Sequence, residues 1–273
     1  MAFSPQRWLT GLLNADPDYR LASGLFLRAI ALVYFAAFLS AALEITGLVG
    51  ETGILPADRY LAAARAHYGD FAWLRLPTLF WLNAGDLSLL VASYAGCVVA
   101  VLLLFGWRPL LCTLLLFVLY LSLFRVGQLF FNFQWDYLLL EAGLLAVFLT
   151  QGPSRLLIFL FHWLLFRLRF ESGISKLLSG DPSWSGLSTL QHYFETQPLP
   201  HIGAWYAHQL PESLLRFGTG ATLFLELIVP FFIFLPRPFR LFAAGATILV
   251  QLLIIATSNH NFINLLTIAL CLF

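Results

Sequence analysis

Charged residues are scarce in this sequence. They make up 11% of the 273 residues, whereas 60% are hydrophobic and the mean hydropathy is +0.84; a typical soluble domain carries about 25% charged residues. Because so apolar a chain cannot cover its own surface with polar groups, we expect lipid to surround it. The basic residues are scattered singly and the formal net charge is +1, which predicts no nucleic-acid partner.

Catalytic and ligand-binding motifs are also missing. The sequence has no HExxH, GxSxG, P-loop or GxGxxG pattern, so zinc-protease, serine-hydrolase and nucleotide-binding functions lack support. Its three cysteines lie singly within apolar runs and are predicted to be inert buried thiols. No pattern names a cofactor. A metal site at His192, Glu195, His201 and His208 is geometrically conceivable, but the aromatic surroundings favour an interfacial segment, and we predict no metal.

Long apolar runs are what the sequence has in abundance. A helix needs about 20 apolar residues to span a bilayer, and several runs approach this length: residues 25–43, 87–105, 110–124, 137–149, 156–170, 214–235 and 241–255. The final run, 262–273, is shorter than a full span. We therefore predict an all-α fold: a single polytopic transmembrane domain over residues 1–273, with seven to eight spans.

Two long loops interrupt the runs. Within the first loop, 46–86, Ala57–Tyr68 reads as an amphipathic helix, and Trp73 and Trp81 could anchor at the membrane interface. The second loop, 180–212, contains neither lysine nor arginine. If the apolar runs cross the membrane in turn, one side of the membrane receives both long loops and the opposite side receives the following arginines: Arg7, Arg20, Arg108, Arg155, Arg237 and Arg240. The positive-inside rule then places the N-terminus in the cytoplasm and both long loops, with their interfacial helices, on the exoplasmic side.

Ionisable residues inside spans cost several kcal/mol in lipid and are therefore functional candidates. His162, Arg169, Gly173 and Lys176 share one helical face. Lys176 is the only lysine in the chain, and a buried lysine, unlike an arginine, can lose its proton and act as a base. The alternative is that Lys176 pairs with Glu171 or Asp181 near the interface and has a purely structural role.

Two further carboxylates, Asp136 and Glu141, begin another span. They could serve acid–base chemistry, or they could pair with Arg125 or Arg28 and fix the helix register. Glu226, deep within an apolar run, must likewise be protonated or find a partner.

Several segments, in order along the chain, resemble the lipase maturation factor family: 50–56, 132–141, 172–184, 193–200 and 261–267. The resemblance implies a polytopic protein of the endoplasmic reticulum membrane in animals, or of the inner membrane in bacteria. Animal members help secreted lipases to fold and dimerise. Members usually continue into a soluble β-rich domain, which we expect to be absent because this sequence ends at Phe273. We predict that client or substrate contacts involve the following residues: Arg169, Gly173, Trp184, Glu195, Gln197 and Asn261.

The stretch 173–184 is also similar, more distantly, to the membrane domain of the vitamin K-dependent γ-glutamyl carboxylase. That resemblance implies a catalytic base at Lys176. The leading hypothesis is a membrane-embedded, chaperone-like maturation factor for exported lipases, with the lipid bilayer and a lipase client as partners. The alternative is an intramembrane enzyme in which Lys176 is the base, assisted by Asp136, Glu141 or His162, on a lipid- or quinone-like substrate. A transporter has less support, because no matching pair of interrupted helices occurs.

Overall fold

A computed structural model of the chain describes residues 14, 16–199 and 201–273, and within this part every regular element is a helix. The α-helices are α1 (Arg20–Val49), α2 (Ala57–Tyr68), α3 (Ala72–Arg75), α4 (Asp86–Leu104), α5 (Pro109–Val126), α6 (Gln134–Leu149), α7 (Arg155–Leu178), α8 (Pro182–Ser185), α9 (Thr189–Tyr193), α10 (Ile202–His208), α11 (Glu212–Leu227), α12 (Arg237–Thr257) and α13 (Ile263–Leu270). Short 3₁₀ helices lie at Pro17–Tyr19, Gly69–Phe71, Leu79–Trp81, Gln128–Phe131 and Val229–Phe234. The all-α prediction is confirmed.

Among the described residues, five helical segments are long and apolar enough to cross a membrane. They are Pro17–Val49, Asp86–Leu104, Pro109–Val126, Glu212–Phe234 and Arg237–Thr257. Their surfaces carry exposed leucines, for example Leu249, Leu252 and Leu253 on α12, as expected where a helix faces lipid. Of the other predicted spans, α6 has only 16 residues and α7 carries several charged side chains.

Glycine and proline set the helix ends. At the turn between α4 and α5, Gly106 and Arg108 both have positive φ, and Pro109 begins the next helix, where its missing N–H costs nothing. Gly50 ends α1 by donating its N–H to Thr46 O. The predicted amphipathic helix, α2, is present with the same bounds, Ala57–Tyr68.

The chain divides into two compact units, residues 1–157 and 158–273. In the first unit α1 packs along α4, and α5 packs against both α4 and α6. Its centre is aromatic: Tyr34, Phe38 and Tyr120 are fully buried, and their ring centroids lie 5.5–6.0 Å apart. Gly96 on α4 faces the Phe38 ring, where a larger residue would not fit.

The second unit contains most of α7 and everything after it. Here α12 packs against α13 and against the 3₁₀ helix Val229–Phe234, while the short helix α9 packs on α11. Phe161 stacks on Phe273 with 4.4 Å between ring centroids. Several charged and polar side chains are nevertheless buried in this unit, and two of them, Arg169 and Glu226, belong to the site described next.

Candidate functional site

A buried carboxylate, Glu226 on α11, joins two cations of α7. Lys176 Nζ lies 2.7 Å from Glu226 Oε2, and Arg169 Nη2 lies 3.5 Å from Glu226 Oε1. Glu226 and Arg169 are almost fully buried, with side-chain exposures of 4% and 6%, whereas Lys176 is 22% exposed. We call Arg169, Glu226 and Lys176, with Ser172, the charged cluster.

Ser172 and Trp184 complete the surroundings of Lys176. Lys176 Nζ donates hydrogen bonds to Ser172 Oγ at 2.8 Å and to the Ser172 carbonyl at 3.1 Å. The ammonium also lies 5.4 Å from the centre of the Trp184 ring, a cation–π distance. Ser172 Oγ in turn lies 3.4 Å from Glu226 Oε1. Lys176 is therefore held on several sides.

The helices approach closely at this cluster because Gly173 has no side chain. A Cβ built on Gly173 would lie 2.9 Å from both Glu226 Cβ and Leu227 Cδ2. The predicted pairing of Lys176 with Glu171 or Asp181 is wrong: Lys176 pairs with Glu226, while both other carboxylates are exposed. His162, two turns before Arg169 on α7, is buried, and its Nε2 has no hydrogen-bond partner among the described residues.

The other predicted carboxylates, Asp136 and Glu141, belong to the first unit and lie in different environments, Asp136 buried and Glu141 exposed. Tyr120 donates a 2.6 Å hydrogen bond to Asp136 Oδ1, and the Phe133 N–H donates to Oδ2 at 3.1 Å. An arginine partner for Asp136 was therefore the wrong expectation. Glu141, five residues on, is exposed, because five residues turn a helix by well over a right angle.

The second long loop is tied to the turn between α12 and α13. Tyr193 Oη lies 2.6 Å from His260 Nε2 and 2.9 Å from Ser258 Oγ. Gln197 Nε2 donates to the Thr257 carbonyl at 3.0 Å. Burial, with the nearby charge of Lys176, holds the pKa of His260 below its usual value; burial raises the pKa of Tyr193.

The remaining predicted loop residues lie near the surface. Glu195 is exposed between His192 at 3.8 Å and His208 at 3.7 Å. In the described part of the chain, no group of three or more His, Cys, Asp and Glu side chains could hold a metal ion. Asn261 adopts a positive φ, and its Oδ1 accepts from the Phe262 N–H, which makes it a turn residue.

Residues 21–273 match the lipase maturation factor transmembrane domain. The chain belongs to the lipase maturation factor family. It is 42% identical to lipase maturation factor 2 of Xenopus laevis over 93% of its length, and 42% identical to that of Homo sapiens over 92%. It is 35% identical to lipase maturation factor 1 of Mus musculus over 93% of its length. No solved structure matches it.

This chain spans less than half of those relatives: 39% of each lipase maturation factor 2 and 49% of the mouse lipase maturation factor 1. The family and the apolar helices together make it an integral membrane protein. Sequence reasoning did not identify Ser172, Tyr193, Ser258 or His260 as parts of a site. The short segments 172–176 and 193–197 lay within the family resemblance, but their partners come from distant parts of the chain.

Proposed function

We propose that this chain is the membrane-embedded part of a maturation factor that assists the folding or assembly of exported lipases. The names of its relatives support a role in lipase maturation. The observation that carries the proposal to this chain is the apolar face of α10, where Ile202, Trp205 and Tyr206 are 77%, 63% and 63% exposed. Exposed aromatic residues are well suited to bind an incompletely folded protein.

The helix α10 holds these side chains in place. Ala204 and Ala207, on its opposite face, are buried, and Gly203 lies directly against the carbonyl of Ala256 at the end of α12. The small residues let α10 lie close to α12, so its aromatic residues point outward from a fixed support. The loop that carries them, 180–212, has no lysine or arginine, so an apolar client meets little fixed positive charge there.

The orientation belongs to the same proposal. Seven spans (α1, α4, α5, α6, α7, α11 with its 3₁₀ continuation, and α12) put both long loops on the exoplasmic side and the N-terminus in the cytoplasm. The membrane is the bacterial inner membrane or the endoplasmic reticulum membrane. Reporter enzymes fused within 180–212 and at the turn 106–108 should report opposite sides. A cytoplasmic signal from the 180–212 fusion would overturn this orientation.

The test of function is disruption of the gene in its native host, followed by assay of secreted lipase activity and dimerisation. We expect both to fall, and to be restored by the wild-type gene. Rescue should fail with W205A/Y206A and succeed with W107A, a tryptophan at the α4–α5 turn on the opposite side of the membrane. If every secreted lipase kept its activity and dimerisation in the disrupted strain, the proposal would be refuted.

The enzyme alternative places a free base at Lys176. The surroundings of Lys176 support the structural role better, because its ammonium is engaged by Glu226 and by two oxygens of Ser172. Such a lysine gains its partners as a cation, whereas a base must be neutral. We therefore propose that the charged cluster joins α7 to α11 and does not carry out chemistry.

A further inference from the structure

Arg169 has an unused binding edge. Its side chain is only 6% exposed, and its Nε and Nη2 have no hydrogen-bond partner among the described residues. These two nitrogens lie on the same edge of the planar guanidinium. That edge can donate two parallel hydrogen bonds to a carboxylate or a phosphate.

Glu226 does not fill this edge. Its Oε1 lies 3.5 Å from Nη2, which is an ion-pair distance but too long for a good hydrogen bond. Its Oε2 is 2.7 Å from Lys176 Nζ. One carboxylate is thus shared between two cations, and the charged cluster has a net charge of +1. An uncompensated buried charge is costly, so one more negative group beside Arg169 would stabilise the cluster.

The location selects the chemical class of that group. Arg169 lies about two and a half turns from the end of α7. Phe224, two residues before Glu226 on α11, is an exposed apolar side chain, and Leu177, near the end of α7, is another. A free inorganic anion would lose its hydration on reaching Arg169, at a large free-energy cost. An amphiphile avoids much of that cost, because its apolar chain stays in lipid while its head group reaches the cation.

We propose that Arg169 anchors a binding site for an anionic lipid. A singly charged oxyanion head group, a carboxylate or a phosphate diester on an apolar chain, accepts hydrogen bonds from Nε and Nη2. Lys176, 22% exposed and beside Trp184, forms the accessible side of the site. Two sources supply this chemistry, an anionic phospholipid and a fatty acid. The site is independent of whether α10 binds a lipase.

The experiment measures lipid binding to the purified full chain in a neutral detergent. The probes are phosphatidylglycerol, oleate, zwitterionic phosphatidylcholine and inorganic phosphate, each followed by native mass spectrometry and by titrated thermal stabilisation. We expect phosphatidylglycerol or oleate, or both, to bind at least about tenfold more tightly than phosphatidylcholine, because charge-assisted hydrogen bonds to the guanidinium are stronger than neutral ones. Which of the two binds identifies the source.

The variants decide whether Arg169 is responsible. R169Q should remove the preference for the anionic amphiphile, and R169K, which keeps the charge and lacks the planar edge, should lose most of it while preserving the fold. The matched control is R216Q, because Arg216 on α11 is exposed and already paired with Glu212 at 3.0 Å; its binding should not change. Unchanged binding in a folded R169K or R169Q protein would overturn the proposal. So would inorganic phosphate binding as tightly as the lipid, or no anionic preference in the wild type.

Discussion

Neutralising Glu226 should destabilise this protein far more than neutralising an exposed glutamate on the same helix. In E226Q the carboxylate that faces both Arg169 and Lys176 loses its charge at nearly unchanged volume. Removing one partner of a buried ion pair costs roughly 3–5 kcal/mol, because the other charge stays buried without compensation. Lys176 is 22% exposed and can turn towards water, so most of the cost falls on Arg169 and we expect about 3 kcal/mol, the lower end of that range.

The matched control is E212Q. Glu212 also lies on α11 and pairs with an arginine, Arg216, at 3.0 Å, but both side chains are more than half exposed. A surface pair contributes about 0–1 kcal/mol, so E212Q should unfold close to wild type.

The assay is equilibrium unfolding in mixed micelles, followed by tryptophan fluorescence, with the free energy of unfolding compared between the two variants. Equal stabilities of E226Q and E212Q would refute the argument, because they would mean that buried Arg169 does not depend on the charge of Glu226. A folded E226Q as stable as wild type would refute it equally.

Three further predictions concern particular contacts. G173A should destabilise the protein by about 1–3 kcal/mol, because the added Cβ would overpack against Glu226 and Leu227. G245A on α12 has open space at its Cβ and should stabilise the protein by about 0.5–1 kcal/mol; thermal unfolding of both variants tests the difference. D136N should cost about 1–3 kcal/mol of unfolding free energy, since Tyr120 Oη and the Phe133 N–H each donate to a different oxygen of Asp136 and an amide has only one. An undiminished denaturation midpoint would contradict the role of these contacts. The pKa of His260, measured by NMR, should lie below its usual value of 6.5. The stability contributed by the neutral imidazole is then fully present above pH 6.5 and falls as the pH drops towards the folded-state pKa. K176M should raise the pKa of His260, and a wild-type pKa at or above 6.5 would be inconsistent with the structure.

Local signals in the sequence were sufficient to predict the positions of the helices. The apolar runs predicted where the long helices lie, and α2 has the predicted bounds because amphipathic spacing and a preceding proline define it locally. The apolar run 25–43 covers only part of the helix that contains it. Helix α1 extends over Arg20–Val49 and passes through Arg28 and Glu44, since charged residues lower the hydropathy of a segment without breaking its helix.

The partners within the candidate site were not predictable in the same way. Lys176 has acidic residues near it in sequence, yet it binds Glu226, 50 residues away on another helix. The periodicity of α7 identified the face that carries Arg169, Gly173 and Lys176, but no pattern within α11 shows which helix its face meets. Asp136 likewise binds Tyr120, and the sequence does not distinguish this tyrosine from the other tyrosines in the predicted spans.

The most direct test of the functional claim is secretion of active lipase by the gene-disrupted host carrying K176R. Arginine keeps the positive charge that pairs with Glu226 but does not lose its proton at physiological pH. The account predicts that K176R restores lipase activity to near the wild-type level. Complete loss of rescue by K176R, at normal abundance and stability of the variant in the membrane, would contradict it and would show that Lys176 works as a base.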